Sequence, residues 1–323
     1  TRGEQDWGPT HLKEEEMNDT KYADLAIRQL KKKHDRPFFL ACGLFHPHMP
    51  WYVPKKYFDM YPLDEINLPP VKEDDLEDIP EPGRKLISST YYQALEHKQY
   101  RKGVQAYLAA TTYADHQVGR VLDTLENSPY RDNTIIFFTS DHGYHLGEHT
   151  FWEKGNLREE VTRVPVILAA PGIKPGRSRS IIELVDLYPT LAELCQLKSV
   201  PKNIEGLSLV PQLKDAKAPR SRPAITSHGP GNDSARTETH RYIRYADGSE
   251  ELYDVRKDPH EFKNLASDPK TKKLRKKLAA YLPKNPAKPV KGSRSRLIER
   301  KEDGSVYWEN TLIEKDAKIP EYE

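Results

Sequence analysis

The sequence predicts an α/β protein in which an open, mostly parallel sheet flanked by helices is followed by a smaller α+β subdomain. Three observations carry that prediction. Short continuous apolar runs alternate with segments of helical period, as in strands buried on both faces between crossover helices. After about Lys214 the pattern changes to short strands separated by turns containing Gly and Asp. The 323 residues, at roughly 100–200 per domain, fit one large unit and one small one.

The elements follow in order. Between Asn18 and Lys33, Ala23, Ala26, Ile27 and Leu30 recur at helical spacing with lysines opposite, which predicts the first helix. Pro37 closes it, and Phe38 to Leu44 is a continuous apolar run, expected as a buried strand. A Pro- and His-rich loop follows, then an acidic, proline-rich stretch from about Asp59 to Arg84, expected as a surface excursion with little regular structure. A second helix is predicted from about Gln99 to Glu126, its apolar face traced by Val104, Tyr107, Leu108, Thr111, Val118, Val121, Leu122 and Leu125. Thr134 to Phe138 and Val164 to Ala169 read as further buried strands. Asp186 is placed to cap a helix running to Leu197, with Pro189 in its first turn. Ala224 to Ser227, Arg241 to Tyr245 and Glu251 to Val255 read as short strands, ahead of a basic helix from about Lys270 to Tyr281. The expected division is 1–215 for the large unit, 216–282 for the small one, and 283–323 for a basic, Pro-rich extension.

Composition narrows the function. With 36% hydrophobic residues, 31% charged residues and 26 prolines, the chain reads as loop-rich and well solvated. A net charge of +2 argues against nucleic acid as the main partner, because neutralising a phosphate backbone needs a clear basic excess. Cys42 and Cys195 are too few for a disulfide framework or a cysteine-based zinc site. No apolar run is long enough to span a membrane. Thr1 to Asp6 shows no signal-peptide pattern and reads as the middle of something. Lys and Arg crowd the stretch from Lys270 to Lys301 against one acid, Glu299; this is either a solvated face or an electrostatic guide for an acidic polymer.

The chemistry concentrates where strands end. Phe137-Phe138-Thr139-Ser140-Asp141-His142-Gly143 delivers a carboxylate and an imidazole to the carboxyl end of a strand, where ligands bind in open α/β sheets. As a bare dipeptide Asp141-His142 reads as a turn cap and a surface histidine. With the strand before it and His145, Glu148 and His149 after it, it reads as two ligands of one divalent metal. Lys154, soon after, is placed to hold an anionic oxygen as a point charge. His46-Pro47-His48-Met49-Pro50-Trp51 also follows an apolar run, and its prolines stiffen the loop that aims His48. A His so fixed hydrogen-bonds an anion or protonates a leaving group. His228, in Ser227-His228-Gly229-Pro230-Gly231-Asn232, either decorates a turn or sits at a substrate rim.

Together these segments resemble the sulfatases of the alkaline-phosphatase superfamily, most closely the iduronate-sulfatase-like branch. The resemblance rests on Pro37 to Gly43 running into His46-Pro47-His48-Met49-Pro50, on Tyr113 to Arg120, and on Ser140 to His149. Thr162-Arg163-Val164-Pro165, Val185 to Thr190, and Glu251-Leu252-Tyr253-Asp254 with Asp258-Pro259 complete it. It covers most of residues 15–270. It implies an alkaline-phosphatase-like sheet, a C-terminal subdomain built on a four-stranded-type antiparallel sheet, and hydrolysis of a sulfate ester on a sulfated sugar or polysaccharide. It also implies a formylglycine nucleophile and one divalent metal, Ca2+, that orients the sulfate. Asp141 and His142 would be two metal ligands. Lys154 and His48 would contact the sulfate, with His48 placed to protonate the leaving alcohol. His46, Trp51, His145, His149, Trp152 and His228 would lie around the sugar subsites.

The departure is equally specific. The family's Cys/Ser-x-Pro-x-Arg motif and the Asp-Asp pair after its first strand are absent from this sequence. Cys42 is followed by Gly-Leu-Phe and Cys195 by Gln-Leu-Lys, so neither is a formylglycine precursor. The expectation is therefore a C-terminal portion whose N-terminal segment is a separate chain, or was removed or omitted, so that this chain alone is inactive. A secreted, periplasmic or lysosome-like location is expected. A phosphodiesterase or phosphonate hydrolase of the same superfamily, or a non-catalytic carbohydrate- or metal-binding fragment, are the competing readings. A companion chain carrying the missing motif decides against the last of these.

Overall fold

The structure, a computed structural model, describes residues 6–87 and 90–285, with backbone at 298–300, 303, 305–308 and 311–313. Most of the expected basic extension, residues 286–297 included, lies outside the described residues.

The chain opens with strand β1 (Trp7–Thr10) and helix α1 (Asn18–Leu30), followed by β2 (Trp51–Pro54), which pairs with β1 in parallel so that Trp7 faces Trp51. Short helices α2 (Lys55–Phe58), α3 (Glu81–Arg84) and α4 (Thr90–Glu96) lead to α5 (Tyr100–Glu126). At 1.5 Å per residue α5 is about 40 Å long and is the spine of this part. α1 packs along it, with Thr20 Oγ1 3.0 Å from the Tyr113 hydroxyl. The buried face of α5 runs through Gly103, Ala106, Ala110, Tyr113 and Gln117, whereas Thr111 and Leu122, expected inside, are exposed. Small residues let the aromatic core approach the helix closely. That core gathers Trp51, Tyr57, Phe58, Tyr113 and Trp152, with Trp7 packed against it.

Next come β3 (Ile136–Thr139), the hairpin of β4 (His145–Leu146) and β5 (Trp152–Glu153), helix α6 (Glu159–Thr162) and β6 (Val166–Ala169). β3 and β6 pair antiparallel. The connection between them folds back as a hairpin and one turn of helix, not as the long crossover that parallel neighbours need. The apolar run Phe38 to Leu44, expected as a buried strand, is extended but joins no ladder among the described residues, and Phe39 is 86% exposed. Hydrophobicity alone does not make a strand; a neighbour must take its backbone hydrogen bonds.

Helices α7 (Leu187–Leu194) and α8 (Val210–Lys214) precede the C-terminal sheet of β7 (Ala224–Ser227), β8 (Asp233–Arg236), β9 (His240–Arg244) and β10 (Glu250–Asp254). Asp186 stands at the N-cap of α7 as expected, but its side chain makes no capping bond; its buried carboxylate accepts the Leu207 N–H at 2.8 Å and pairs with Arg220. The sheet is an antiparallel meander of the expected four-stranded kind, with β8, which the sequence did not reveal, in its interior. Its two faces follow the period of two. Tyr242 and Leu252 pack against Leu278 of α9 (Lys272–Ala279), while Ile243, Tyr245 and Tyr253 pack against Leu157 of the large part. The acidic excursion is not loose either: Asp75 is buried, and Asp78 accepts the Asn264 N–H at 2.9 Å. Within the expected extension, β11 (Ile298–Arg300), β12 (Val306–Trp308) and β13 (Thr311–Ile313) form an antiparallel meander.

Candidate functional site

The site is assembled from two loops and a hairpin. The first loop is pinned by Asp19 of α1, whose buried carboxylate accepts the backbone N–H groups of Phe45 and His46 at 2.8 and 2.9 Å and the His46 ring Nδ1–H at 2.8 Å. Burial works against the charge on Asp19, but these bonds outweigh it and hold the carboxyl below its ordinary value. The Trp51 indole N–H donates to the Pro47 carbonyl at 2.7 Å and fixes the other end. Between the two anchors His48 remains exposed. Its Nδ1 lies 2.5 Å from the Met49 carbonyl, which sets Nδ1 as the donor and leaves Nε2 to accept from Lys154 Nζ at 2.7 Å, 106 positions along the chain.

The second loop follows β3. Ser140 Oγ donates to the His142 carbonyl at 2.9 Å, and the His142 N–H donates to Asp141 Oδ1 at 3.0 Å. His142 Nδ1 donates to the Gly143 carbonyl at 2.7 Å, so its Nε2 carries the free lone pair. That atom lies 3.8 Å from Asp141 Oδ2, and the Asp141 side chain is 87% exposed. Two donors at this separation suit neighbouring ligands of one calcium ion, whose bonds run 2.3–2.6 Å. Calcium takes 6–8 oxygen-type ligands, however, and no group of three or more His, Cys, Asp or Glu capable of holding a metal occurs among the described residues. The pair fits the cation as part of a ligand set, not as the whole.

Gly143 shows how tightly the loop is set. Its N–H donates to the Val161 carbonyl at 2.7 Å, and a β-carbon there would lie 1.9 Å from the Glu160 carbonyl oxygen. Gly143→Ala therefore forces the Asp141-His142 loop off the α6 segment. The expected result is a loss of about 1–3 kcal/mol, read by urea unfolding; a variant as stable as the parent would contradict this packing.

The hairpin carries Lys154. His145 pairs with Glu153, so the next residue, Lys154, comes level with Tyr144, two positions beyond His142. His149, Thr150 and Glu153 all hold positive φ, at 56°, 59° and 76°. Such clustering of unfavourable backbone needs strong surrounding constraint. The constraint is visible. Arg158, 2% exposed, donates to Glu251 Oε2 at 2.7 Å and to the Tyr253 hydroxyl at 3.1 Å on β10. Glu159 accepts from Arg236 at 2.8 and 3.0 Å and from Arg241. Burial opposes the Glu159 charge, yet the two arginines hold its carboxyl down at about 2. The C-terminal sheet thus clamps the segment that bears Lys154. Its β7–β8 turn also brings His228 over the site: a β-carbon on Gly155 would lie 3.9 Å from His228 Cε1.

The structure therefore brings together His48, Lys154 and His228, and sets Asp141 and His142 on the neighbouring loop. The other residues expected around the sugar subsites turn toward protein partners in this chain. His46 is the anchor held by Asp19, its ring edge-on to Tyr113. Trp51 and Trp152 are 0% and 1% exposed and pack on each other with centroids 6.0 Å apart. His145 is fully buried, with Nε2 3.3 Å from Asn156 Oδ1. His149 is fully buried as well, with Nδ1 2.6 Å from Asp75 Oδ2. Burial, with the Arg158 charge nearby, pushes the His149 imidazole down to about 2, and burial pushes the Asp75 carboxyl up to about 6. Trp51, Trp152, His145 and His149 are closed off from solvent in this chain, and His46 keeps 11% of its side chain exposed. Asp19, Asp75, Arg158 and Glu251 escaped the sequence reading because nothing local distinguishes a buried ion pair from surface charge.

Comparison with known proteins identifies the family. The sulfatase family model matches residues 3–197, and the model "N-sulphoglucosamine sulphohydrolase, C-terminal" matches residues 147–288. A sulfatase of Formosa agariphila is 40% identical over 288 residues, covering 87% of this chain and 56% of that protein. Iduronate 2-sulfatase of Homo sapiens is 35% identical over 226 residues, covering 58% of this chain and 41% of that protein. A solved 2-O GAG sulfatase superposes with a TM-score of 0.59 at 26% identity, over 81% of this chain and 61% of that one. The chain spans about half the length of the curated relatives it matches. Since the sulfatase model alone accounts for more than half of the chain, this protein belongs to the sulfatase family, with its alkaline-phosphatase-like α/β fold.

Proposed function

We propose that this chain forms the anion-holding half of a sulfuric ester hydrolase acting on a sulfated sugar, the nucleophile being supplied by a segment outside it. The single observation that carries the reading is the 2.7 Å contact of Lys154 Nζ with His48 Nε2, made between two loops beside the Asp141-His142 pair. An anion entering here displaces the contact: Lys154 Nζ turns to an anionic oxygen and His48 Nε2 is freed. With Nδ1–H kept on the Met49 carbonyl, the freed Nε2 takes a proton from solvent and passes it to the departing alcohol oxygen. His228, which lies next to Gly155, would face the sugar.

Asp141 and His142 would hold part of the coordination of a calcium ion, which when bound supplies positive charge for the sulfate. The formylglycine, when supplied, brings the attacking oxygen. Support for a companion segment comes from apolar side chains left in solvent on α1, β3, β6 and the run after α1: Leu25 at 51%, Phe138 at 37%, Ile167 at 61% and Phe39 at 86% exposure. The names of relatives such as iduronate 2-sulfatase favour a sulfated uronate as substrate.

The test is sulfate release. The chain alone, its purity fixed by intact mass, is expected to release none from a sulfated uronate disaccharide. Co-produced with a segment carrying Cys-x-Pro-x-Arg and the Asp pair, it is expected to gain calcium-dependent release. Turnover by the chain alone sinks the need for a companion, and faster hydrolysis of a phosphonate monoester by the completed enzyme sinks the sulfatase assignment.

A further inference from the structure

The sulfate chemistry leaves unused a cavity of about 350 Å³ at the far end of the C-terminal sheet. Its walls are the segment entering β7, the β8–β9 turn from Thr237 to Thr239, and one face of α9 and the turn after it. On that face Leu274, Lys277, Leu278 and Tyr281 recur at i, i+3, i+4 and i+7. Among the described lining residues, Arg220, Arg222, Arg256 and Lys277 meet a single carboxylate, Glu238. Arg220 and Arg222 turn part of their guanidinium groups inward, to Glu183 and Asp186. The Nε atoms of both are nevertheless buried without an acceptor among the described residues. A buried orphan donor is costly and calls for an acceptor. Arg256 and Lys277 are exposed and make no ion pair among the described residues. Tyr281, 43% exposed, offers an aromatic face beside them.

We propose that this cavity binds an anionic stretch of the polysaccharide whose sulfated residue is processed at Lys154. The inference rests on the sulfated-sugar reading above and extends it from one residue to a polymer. Position supports it: the cavity and His228 lie at opposite ends of β7, and the five steps from Pro223 to His228 span roughly 16 Å at about 3.3 Å each. A chain several sugars long reaches from one end to the other. The threonine hydroxyls of the β8–β9 turn and the Tyr281 ring suit sugar hydroxyls and a pyranose face. The chain's net charge of +2 lacks the basic excess that a nucleic acid requires.

The experiment is equilibrium binding of dextran sulfate to the full chain at about 0.1 M salt, where exposed charges act within roughly 10 Å. The double variant Arg256→Gln/Lys277→Gln is expected to bind about fivefold more weakly or worse, with a shallower salt dependence. Lys273→Gln/Lys276→Gln removes the same charge from α9 outside the lining residues and is expected to change binding less than twofold. An equal loss in both variants shows a diffuse basic surface and overturns the site. Equal binding of uncharged dextran overturns it too, and so does an oligonucleotide bound as tightly through Arg256 and Lys277. Polygalacturonate competing through those residues assigns the recognised anion to uronate carboxylates; failure to compete assigns it to sulfate esters. The two readings fail separately: a wrong sulfatase assignment appears as no sulfate release by the completed enzyme. A wrong cavity assignment appears as polymer binding indifferent to Arg256 and Lys277.

Discussion

Lys154→Ala in the completed enzyme is expected to lower kcat/KM for a sulfate ester by about two to three orders of magnitude, the cost of removing one well-placed donor to an oxyanion. Lys154 is exposed and its polar contact is with His48, so the fold has little stake in it. The thermal transition should stay within a degree or so of the parent. The sulfate is already charged before reaction, so part of the loss belongs in KM; the share that falls on kcat measures charge that grows in the transition state. Lys154→Arg should recover only a fraction, because the guanidinium is planar and the site is set for a point charge. A loss below about fivefold with Lys154→Ala would remove Lys154 from the anion site.

Arg158→Met is expected to have the largest effect on stability. Arg158 is buried against Phe151 and Tyr253, and its partner Glu251 is fully buried with hydrogen bonds from the hydroxyls of Tyr245 and Tyr253 at 2.5 and 2.6 Å. Removing the guanidinium strands a carboxylate away from water, at a cost of about 3–5 kcal/mol. For a chain of this size the midpoint should fall by roughly 5–10 °C. The double variant Arg158→Met/Glu251→Leu should recover much of that, since replacing both charges with apolar groups leaves no orphan. A double variant no more stable than Arg158→Met would show that the cost lies in lost packing of the arginine stem. Because this pair joins β10 to the hairpin that carries Lys154, turnover should fall along with stability.

The helices and the C-terminal strands were readable because each is a local pattern. α1 and α5 start within a residue of their expected positions, and β7 matches to the residue. β8 was missed because Asp233-Ser234-Ala235-Arg236 has no apolar alternation; Asp233 and Ser234 are buried on hydrogen bonds from the Ser227 hydroxyl and Arg241, and only Ala235 joins the apolar core. The α5 face was misread toward Leu122 because the sequence weighs hydrophobicity, whereas the helix turns inward the small residues that aromatic rings can reach.

The sequence by itself determined the chemistry that short motifs carry: an Asp-His pair after a strand, a stiffened histidine loop, a lysine nearby, and the absence of the nucleophile motif. Only the tertiary structure decided which histidines stand open to solvent near Lys154 and which are held by partners. His48 and His228 stay exposed beside Lys154, while His46, His145 and His149 turn inward to Asp19, Asn156 and Asp75. The reason is physical. A residue type states what a side chain can donate or accept, but whether it faces a ligand or a buried partner depends on groups up to a hundred positions away, and no local pattern encodes that distance.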